Sequence, residues 1–370
     1  MELDLRGGVR AAPVLGSTPR ERQALRFAPD PPERDADPDH VARTARENEE
    51  DGLDSALVTQ SSSWPDPWLV AAWALAATTR LRIAVAHRAG TTAPTVAARA
   101  LATLDRLSGG RASAHVIVGS SDADVARDGD GLGKAERYRR AGEYLELFTK
   151  NLTERQRFDF EGEFYSVRDG GPGLWPRPRA ELLSFGGSSP EGVELAARFA
   201  EVYAVAPGPL SVTRRRIAAA RAAAAAHGRT LRIWRHLTLV LAATDEEAAE
   251  RARSIGRDAV RLTTGPDGGP WHRAVQLDRD RERGRADPAP GAEQLTAYVR
   301  RSLAGAFVGS PQSVAERVGW LRAAGVDIVQ LDMSVETDED RDLRRDLVAR
   351  LRNDYVPPPV RTTPHYRRGW

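Results

Sequence analysis

Strand-like and helix-like apolar segments alternate along most of this 370-residue chain, and this alternation limits the folds open to it. Short apolar runs such as LRIAVAHR (81–88) and ASAHVIVG (112–119) are typical of buried strands, whereas the longer PWLVAAWALAA (67–77) is typical of a helix. Strict alternation predicts a parallel sheet, because the connection between two parallel strands is usually a helix. The chain is therefore predicted to be an α/β protein.

The number of strand segments favours a closed (β/α)8 barrel, the TIM-barrel architecture, over an open doubly wound sheet. Eight segments are predicted as strands: residues 9–15, 53–60, 81–88, 112–119, 182–185, 202–206, 231–243 and 327–333. No GxGxxG motif follows an early strand, so the sequence gives no support to a dinucleotide-binding Rossmann fold.

We expect one domain over residues 1–370, with four segments that depart from the repeat. Residues 157–167 alternate about a Glu-Gly pair, which predicts a small hairpin insertion. The Gly-, Pro- and Arg-rich tract 264–291 is too long for an ordinary connection and predicts a lid-like loop. The Pro- and charge-rich segment 16–38 and the C-terminal tail 352–370 are expected to be irregular.

Composition excludes several classes of function. The chain has no cysteine, which excludes disulfides, thiolate metal ligands and a cysteine nucleophile, and no metal site is predicted. Its 54 basic and 52 acidic residues nearly balance, so no basic surface for nucleic acid is expected. No stretch reaches 18 apolar residues and the N-terminus lacks a signal-peptide pattern, so we expect a cytoplasmic protein with no membrane partner.

One strand end has unusual backbone chemistry. In SFGGSSPEG (184–192), Gly186 and Gly187 remove two Cβ atoms beside a strand end, and Ser189 takes the N-cap position before a proline. The unpaired N–H groups of the following helix turn, the hydroxyls of Ser188 and Ser189 and the helix dipole together suit a phosphate. A well-capped turn without a ligand is the alternative interpretation.

Five segments follow one another with a characteristic spacing: TVAARALATLDRLSGGRASAHVIVGSS (95–121), AERYRRAGEYLELF (135–148), FDFEGEFYSV (158–167), SFGGSSPEGVELAA (184–197) and VGSPQSVAERV (308–318). Together they resemble the luciferase-like flavin monooxygenases, and within that superfamily the bacterial alkanesulfonate monooxygenases. The resemblance covers roughly residues 40–350. It implies a TIM barrel that takes reduced FMN from a separate NAD(P)H-dependent flavin reductase and uses it with O₂ on a small substrate.

The resemblance also assigns expected roles to residues. The phosphate at Gly187, Ser188 and Ser189 would belong to FMN, and Tyr138, near the start of its helix, would help to hold the cofactor. Members of the family commonly associate through helices on the outside of the barrel, so a homodimer or homotetramer is expected.

Three further side chains are candidates for cofactor binding, because barrel active sites lie at the carboxyl ends of the strands. His87 and Arg88 end the third predicted strand, and His115 lies near the end of the fourth. Such groups can stabilise negative charge on a reduced flavin ring. The alternatives are that Arg88 pins a loop and that His115 is a hydrogen-bonded core histidine.

The candidate catalytic residues are Trp64, His236, Arg300 and Arg301. His236 lies on the seventh predicted strand, and Trp64 follows the second. In the sulfonate enzymes an arginine near the position of Arg300 and Arg301 closes with a mobile loop over the bound flavin. A solvated pair on a helix surface is the alternative for these two arginines.

The match to the sulfonate enzymes is incomplete. Trp64 stands where they have a cysteine, His236 and Thr238 where they have arginine and histidine, and Ser334 and Glu336 where they have tyrosine and histidine. The lost cationic and hydroxyl groups predict a larger and less anionic substrate than a short alkanesulfonate. A deazaflavin-dependent oxidoreductase of the same fold, and a barrel that lost its activity and serves as a binding partner, are the alternative functions.

Overall fold

A closed barrel of eight parallel strands forms the centre of the computed structural model. The structure describes residues 3–29, 35–62, 64–119, 121–171, 181–265 and 291–353. Its strands are β1 (Asp4–Val9), β2 (Ser55–Val58), β3 (Arg82–Arg88), β4 (Ala112–Ile117), β5 (Phe158–Glu161), β6 (Ser166–Gly170), β7 (Leu183–Gly186), β8 (Val202–Val205), β9 (Arg232–Leu241), β10 (Phe307–Gly309) and β11 (Ile328–Asp332).

The barrel closes because β1 pairs with β2 on one side and with β11 on the other. The order around the ring is β1-β2-β3-β4-β7-β8-β9-β11, and every pairing in it is parallel. The short β10 extends β9 beyond the ring. The TIM-barrel prediction is confirmed.

Helices cover the outside of the barrel, and several begin where the sequence predicts. They are α1 (Pro19–Leu25), α2 (Pro38–Glu50), α3 (Pro67–Ala76), α4 (Pro94–Leu107), α5 (Asp122–Arg127), α6 (Lys134–Thr153), α7 (Pro190–Phe199), α8 (Leu210–Ala226), α9 (Asp245–Thr264), α10 (Ala292–Ala304), α11 (Pro311–Ala323) and α12 (Asp338–Arg352). Asp66, Ser189 and Ser310 each cap a helix whose first residue is proline. Proline suits this position because the missing N–H would have no partner there.

The strands are buried on both faces. Leu57, Ala84, Ala86, Trp234 and Ile328 form one cluster inside the barrel, where the two alanines leave room for the indole. A larger apolar cluster lies between the strands and the helical layer. A parallel strand that is covered on both faces consists mainly of consecutive apolar residues, and the sequence has this pattern.

Several predicted boundaries need correction. The first strand is β1 rather than residues 9–15, and it begins close to the N-terminus. Segment 16–38, predicted to be irregular, contains α1 and the first residue of α2. Tail residue 352 is the last residue of α12, and residues 354–370 lie outside the described part of the chain.

The predicted hairpin at 157–167 is present as the antiparallel pair β5 and β6, which continues to Gly170. Glu143 on α6 holds its turn, since this carboxylate accepts hydrogen bonds from the N–H groups of Glu163, Phe164 and Tyr165 at 2.7–3.2 Å. Of the predicted lid-like tract 264–291, residues 266–290 lie outside the described residues. Within the described ranges, no helix is both long and apolar enough to cross a membrane.

Candidate active site

A cavity of about 580 Å³ opens at the carboxyl ends of the strands, between β1, β9 and β11. Its walls include His236 from β9, Gln330 and Asp332 from β11, and Arg22 and Arg26 from the region of α1. Active sites of barrels lie at this end, because the loops that follow the strands meet there. Helix α1 therefore contributes side chains to the wall of the barrel mouth, a role that the sequence did not indicate.

Asp332 organises one wall of this cavity. Its carboxylate forms an ion pair with Arg26 and lies 3.2 Å from Nε2 of His236. Burial, together with the charges of Arg26, Arg235 and Arg10, lowers the pKa of His236 to about 4. His236 is therefore neutral at physiological pH, and its ring lies beside the Asp332 carboxylate at the cavity wall.

Gln330 adds a second acceptor at the cavity wall. The residue is buried, and among the described residues no donor reaches its Oε1 atom. A buried polar atom without a partner is costly, so a ligand that donates a hydrogen bond at this point would satisfy it.

The glycine- and serine-rich corner after β7 has the backbone geometry that the sequence predicts. Ser189 caps α7 by accepting a hydrogen bond from the Gly192 N–H at 3.2 Å. The carbonyl of Gly187 accepts a hydrogen bond from the Tyr203 hydroxyl at 2.8 Å. Ser188 is exposed and Gly187 half-buried, so bulky side chains do not close the corner.

The space beside Gly187 is closely packed. A Cβ atom there would lie 3.2 Å from the Tyr138 hydroxyl oxygen and 3.3 Å from Cα of Gly192. Tyr138 and the corner are therefore neighbours, as the family resemblance implies. Strand-end patterns do not indicate Tyr203, because only the tertiary structure brings its hydroxyl to the Gly187 carbonyl.

One carboxylate already uses donors of this corner. Hydrogen bonds from its own N–H and from the Ser189 hydroxyl, with a further contribution from the charge of Lys134, lower the pKa of Glu191. Glu191 is exposed, so an incoming phosphate could displace it into water. Lys134, the first residue of α6, is a cation close to the corner that the sequence did not single out.

His115 lies inside the barrel, directly below this corner. Its Nδ1 is 3.0 Å from the Ser184 hydroxyl, and its Nε2 would be 3.0 Å from a Cβ atom at Gly186. Burial and the charge of Arg6 lower the pKa of His115 to about 3, so the ring is neutral. It also packs edge-on against Trp234, with ring centroids 4.6 Å apart.

The prediction that His87 binds a cofactor is corrected, because the side chain points outward into the helical layer. Its Nδ1 accepts a hydrogen bond from Nε1 of Trp68 at 3.2 Å, and its Nε2 lies 2.5 Å from the Tyr144 hydroxyl. The indole can only donate, so His87 is neutral with the proton on Nε2. Burial lowers the pKa of His87 to about 4.

Arg88 is engaged in internal contacts rather than directed at a ligand. Its guanidinium lies 2.7 Å from Asp124 and 2.8 Å from Asp128, and it donates to the Ser62 hydroxyl at 2.9 Å. These contacts join the segment after β2 to α5. The prediction of cofactor binding by Arg88 is replaced by the alternative, in which this arginine pins a loop.

The structure does not bring the other candidate catalytic residues to the mouth cavity. Trp64 is half-buried in the segment between β2 and α3 and is not part of the cavity wall. Arg300 and Arg301 are exposed on α10, where they line a separate, open depression beside Thr264. Only His236 of the four predicted catalytic residues contributes to the cavity wall. Within the described residues, no group of three or more His, Asp or Glu side chains could hold a metal ion.

Comparisons with known proteins agree with this architecture. A family model described as luciferase-like monooxygenase matches residues 18–327. Among solved structures, riboflavin lyase with modified FMN and riboflavin has a TM-score of 0.71 at 20% identity, covering 97% of this chain and 93% of that one. EDTA monooxygenase from Chelativorans sp. BNC1 has a TM-score of 0.71 at 20% identity, with coverages of 95% and 94%.

A third similar structure represents different redox chemistry. An F420-dependent secondary alcohol dehydrogenase in complex with an F420-acetone adduct has a TM-score of 0.67 at 14% identity. The alignment covers 95% of this chain and 100% of that one. Identities this low establish the shared fold and leave the cofactor and substrate to the chemistry of the site.

Proposed function

This chain belongs to the luciferase-like monooxygenase family, and from that premise we propose that it is a monooxygenase that uses reduced FMN and O₂ on a small organic substrate. The observation that carries the proposal is the corner after β7, where Tyr138 packs against Gly187 and the exposed Ser188 and the N-cap Ser189 lie at a strand end. Two similar structures support it: riboflavin lyase, which contains modified FMN, and EDTA monooxygenase.

The residues at the corner fit the phosphate end of FMN. The Glu191 N–H, released when the Glu191 carboxylate is displaced, and the hydroxyls of Ser188 and Ser189 would bind the phosphate, with Lys134 nearby as a counter-charge. Tyr138 and Tyr203 would fix the shape of the turn. When bound, the flavin would supply the redox chemistry with O₂, which no side chain of the protein can supply.

Two neutral histidines would face the ring of the cofactor or the substrate. His115, beside Gly186, presents a neutral imidazole below the corner, and His236 presents one at the wall of the mouth cavity. Neutral rings can donate and accept hydrogen bonds without adding a positive charge. The apolar interior around Trp234 keeps water out beneath them, which an oxygen-activating site requires.

The charges of the mouth cavity support a substrate that is not a strong anion. Five arginines line the cavity, and three of them are paired with carboxylates of the same wall, at 2.6 Å for Arg22 with Glu336 and 3.6 Å for Arg43 with Glu47. The third pair is the contact of Arg26 with Asp332. A fourth arginine, Arg344, is paired with Asp51 behind the wall. A sulfonate would have to compete with these internal carboxylates for charge-assisted hydrogen bonds. Conversion of short alkanesulfonates at ordinary rates would contradict this part of the proposal.

A deazaflavin-dependent oxidoreductase is the second candidate function. It is favoured by the F420-dependent alcohol dehydrogenase that shares the fold. A deazaflavin would use the same corner and the same neutral histidines but would transfer a hydride without O₂. A barrel that has lost its activity and only binds a partner is the third possibility.

A cofactor titration separates these candidates. We expect reduced FMN at about 100 times its dissociation constant to stabilise the protein by about 2.7 kcal/mol, seen as a higher melting temperature, and F420 to produce no comparable shift. A shift with F420 alone would favour the second candidate. No shift with either cofactor would favour the inactive barrel.

Two glycine substitutions test whether the corner carries the binding. Gly187→Val should weaken FMN binding by about tenfold or more, because the added atoms meet Tyr138 and Gly192. Gly131→Ala is the matched control, since a Cβ atom there meets nothing within 4 Å. Isothermal titration of both variants, with circular dichroism to verify folding, gives the comparison. Equal affinities would place the cofactor elsewhere.

The proposal extends to partners and location. Reduced FMN would come from a separate NAD(P)H-dependent flavin reductase, which implies a cytoplasmic setting where NAD(P)H is available. We also propose a homo-oligomer, a homodimer or homotetramer, formed through helices on the outside of the barrel. The exposed apolar side chains of Leu69 and Trp73 on α3 support this association.

A further inference from the structure

A second cavity lies at the opposite end of the barrel, among the amino ends of the strands. Its volume is about 170 Å³. It is lined by four arginines and one carboxylate, together with small residues: Arg6, Ser55, Arg82, Gly110, Arg111, Ser113, Glu181 and Arg232. Neither the proposed oxygenase chemistry nor the family match assigns a role to this end of the molecule.

Two carboxylates neutralise only part of the positive charge around this cavity. Glu181 lies 2.6 Å from Arg6 and 3.4 Å from Arg232. Asp4 lies 2.5 Å from Arg82 and 3.6 Å from Arg232. With Arg111, the cluster has four guanidinium groups against two carboxylates, which leaves an excess of two positive charges.

Arg111 keeps its charge without a carboxylate among its hydrogen-bond acceptors. It donates to the carbonyls of Leu75, Leu81 and Ser108 at 2.8–3.1 Å and to the Thr78 hydroxyl at 3.1 Å. These bonds fix the guanidinium at the ends of α3 and α4. Burial lowers the pKa of Arg111, with Glu49 acting in the opposite direction. This is the direction expected for a cation that lacks a direct counter-charge.

Two donors of the cluster have no acceptor. Arg6 is 1% exposed, and no acceptor among the described residues reaches its Nη1 atom. The Nε atom of Arg232 also lacks an acceptor, on a side chain that is 21% exposed. Unsatisfied Nε atoms occur on several other arginines among the described residues, so the Nη1 atom of the fully buried Arg6 is the more informative donor. Together with the excess of positive charge around the cavity, it indicates a missing acceptor.

We propose that this cavity binds a small inorganic oxyanion, sulfate or hydrogen phosphate, as a structural ligand of the barrel floor. A dianion would balance the two excess charges, and its oxygens could accept from Arg6 and Arg232. The volume of about 170 Å³ corresponds to about five or six waters at roughly 30 Å³ each, which is enough for a tetrahedral oxyanion. Arg82, with 40% of its side chain exposed, leaves a route from solvent.

Thermal unfolding of the cofactor-free protein tests the proposal. Sodium sulfate or sodium phosphate replaces sodium chloride at constant ionic strength, so that general screening stays equal. We expect the melting temperature to rise with millimolar oxyanion and then to saturate, and the two titrations show which oxyanion binds more tightly. General salting-out by sulfate, in contrast, grows steadily with concentration and does not saturate.

Matched variants locate the effect in this cavity. Arg82→Gln should weaken the apparent oxyanion affinity by about tenfold or more, because it removes one charged group of the wall. Arg221→Gln is the control, since Arg221 pairs at the surface with Asp327 at 3.1 Å and does not line the cavity. Gly187→Val separates the two ends of the barrel, because any part of the effect that it removes belongs to the corner after β7, whereas the part that Arg82→Gln removes belongs to the cavity. An equal response in Arg82→Gln and the wild-type protein would overturn the proposal.

A crystallographic measurement on the wild-type protein tests the proposal without relying on cavity variants, which could be less stable. Crystals of the wild-type protein soaked in selenate should show an anomalous selenium peak within hydrogen-bond reach of Arg6 and Arg232. A cavity without selenate would overturn the proposal, even where a peak occurs at the corner beside Gly187.

Discussion

At the scale of single residues, burial decides the protonation states available to this barrel. His87 and His115 are both buried, and burial is the first cause that lowers their pKa values, to about 4 and about 3. Only one of the two faces the interior of the barrel, since His87 packs against Trp68 and Tyr144. A strand-end histidine is therefore a candidate for the active site only after its side-chain direction is known.

The lowered histidine pKa values predict a pH-dependent stability. In the unfolded chain a histidine binds a proton near pH 6.5, whereas folded His87 does so only near pH 4, so stability falls as the pH is lowered through this window. Between pH 8 and pH 5 the loss from His87 is about 2 kcal/mol. His87→Gln, which keeps a donor and an acceptor, should lose about 2 kcal/mol less over this range in urea unfolding.

The control for this prediction is His227→Gln, which changes a surface histidine that lies 2.8 Å from Glu194. This variant shows how far the pH profile changes when a histidine outside the core is replaced. A His87→Gln profile that also follows the wild-type profile would show that His87 is protonated in the folded state.

At the scale of elements, one buried carboxylate joins the last helix to the barrel. Asp51, the C-cap residue of α2, is bonded by Arg341 at 2.9 Å, by Arg345 at 2.7 Å and by Arg344, all on α12. Burial alone would raise the pKa of Asp51, but the charges and hydrogen bonds of these arginines outweigh it and lower the pKa. Helix α12 therefore docks through this polar contact as well as through the apolar side chains of Leu347, Val348 and Leu351, and apolar periodicity does not reveal the polar part.

Removing this carboxylate should be costly. Asp51→Asn should lower the free energy of unfolding by about 3 kcal/mol, because it leaves buried guanidinium groups without their counter-charge. Asp346→Asn is the matched control on α12, where an exposed carboxylate pairs with Arg350 at 2.8 Å. The control should change stability by less than about 1 kcal/mol. Urea unfolding of both variants gives the comparison, and similar losses would contradict the role of Asp51.

At the scale of the whole molecule, helix α3 presents an apolar face to solvent. Leu69 is 73% exposed and Trp73 is 55% exposed, and their spacing of four residues places them on one side of the helix. Large exposed apolar side chains grouped in this way are typical of surfaces that associate. This face supports the homo-oligomer that we propose.

Leu69→Glu should therefore dissociate the oligomer, because a buried carboxylate without a partner is costly at an interface. Light scattering coupled to size-exclusion chromatography measures the mass directly. Leu107→Glu, at the end of α4 where the leucine is 81% exposed, is the control and should leave the mass unchanged. A wild-type protein that is monomeric at high concentration would refute the association.

The sequence alone determined the class of fold and the capping of the helix after β7. These features are encoded locally, because each one restricts the residue types at adjacent positions. Strand burial requires continuous apolar runs. Helix capping favours serine and proline at helix starts, and close backbone packing favours Gly187. Sequence patterns did not predict the short β10, the helices α1 and α12, or the start of β1 at Asp4.

Only the tertiary structure decided which of the candidate residues face a cavity. In the structure, the His87 side chain points outward and Arg88 is paired with Asp124 of α5. Arg300 and Arg301 lie away from the barrel mouth. The tertiary structure also gathered at the barrel floor residues as distant in the chain as Arg6 and Glu181. Such contacts depend on barrel closure, which joins strands far apart in sequence, and no local pattern of residues encodes the direction in which a strand-end side chain then points.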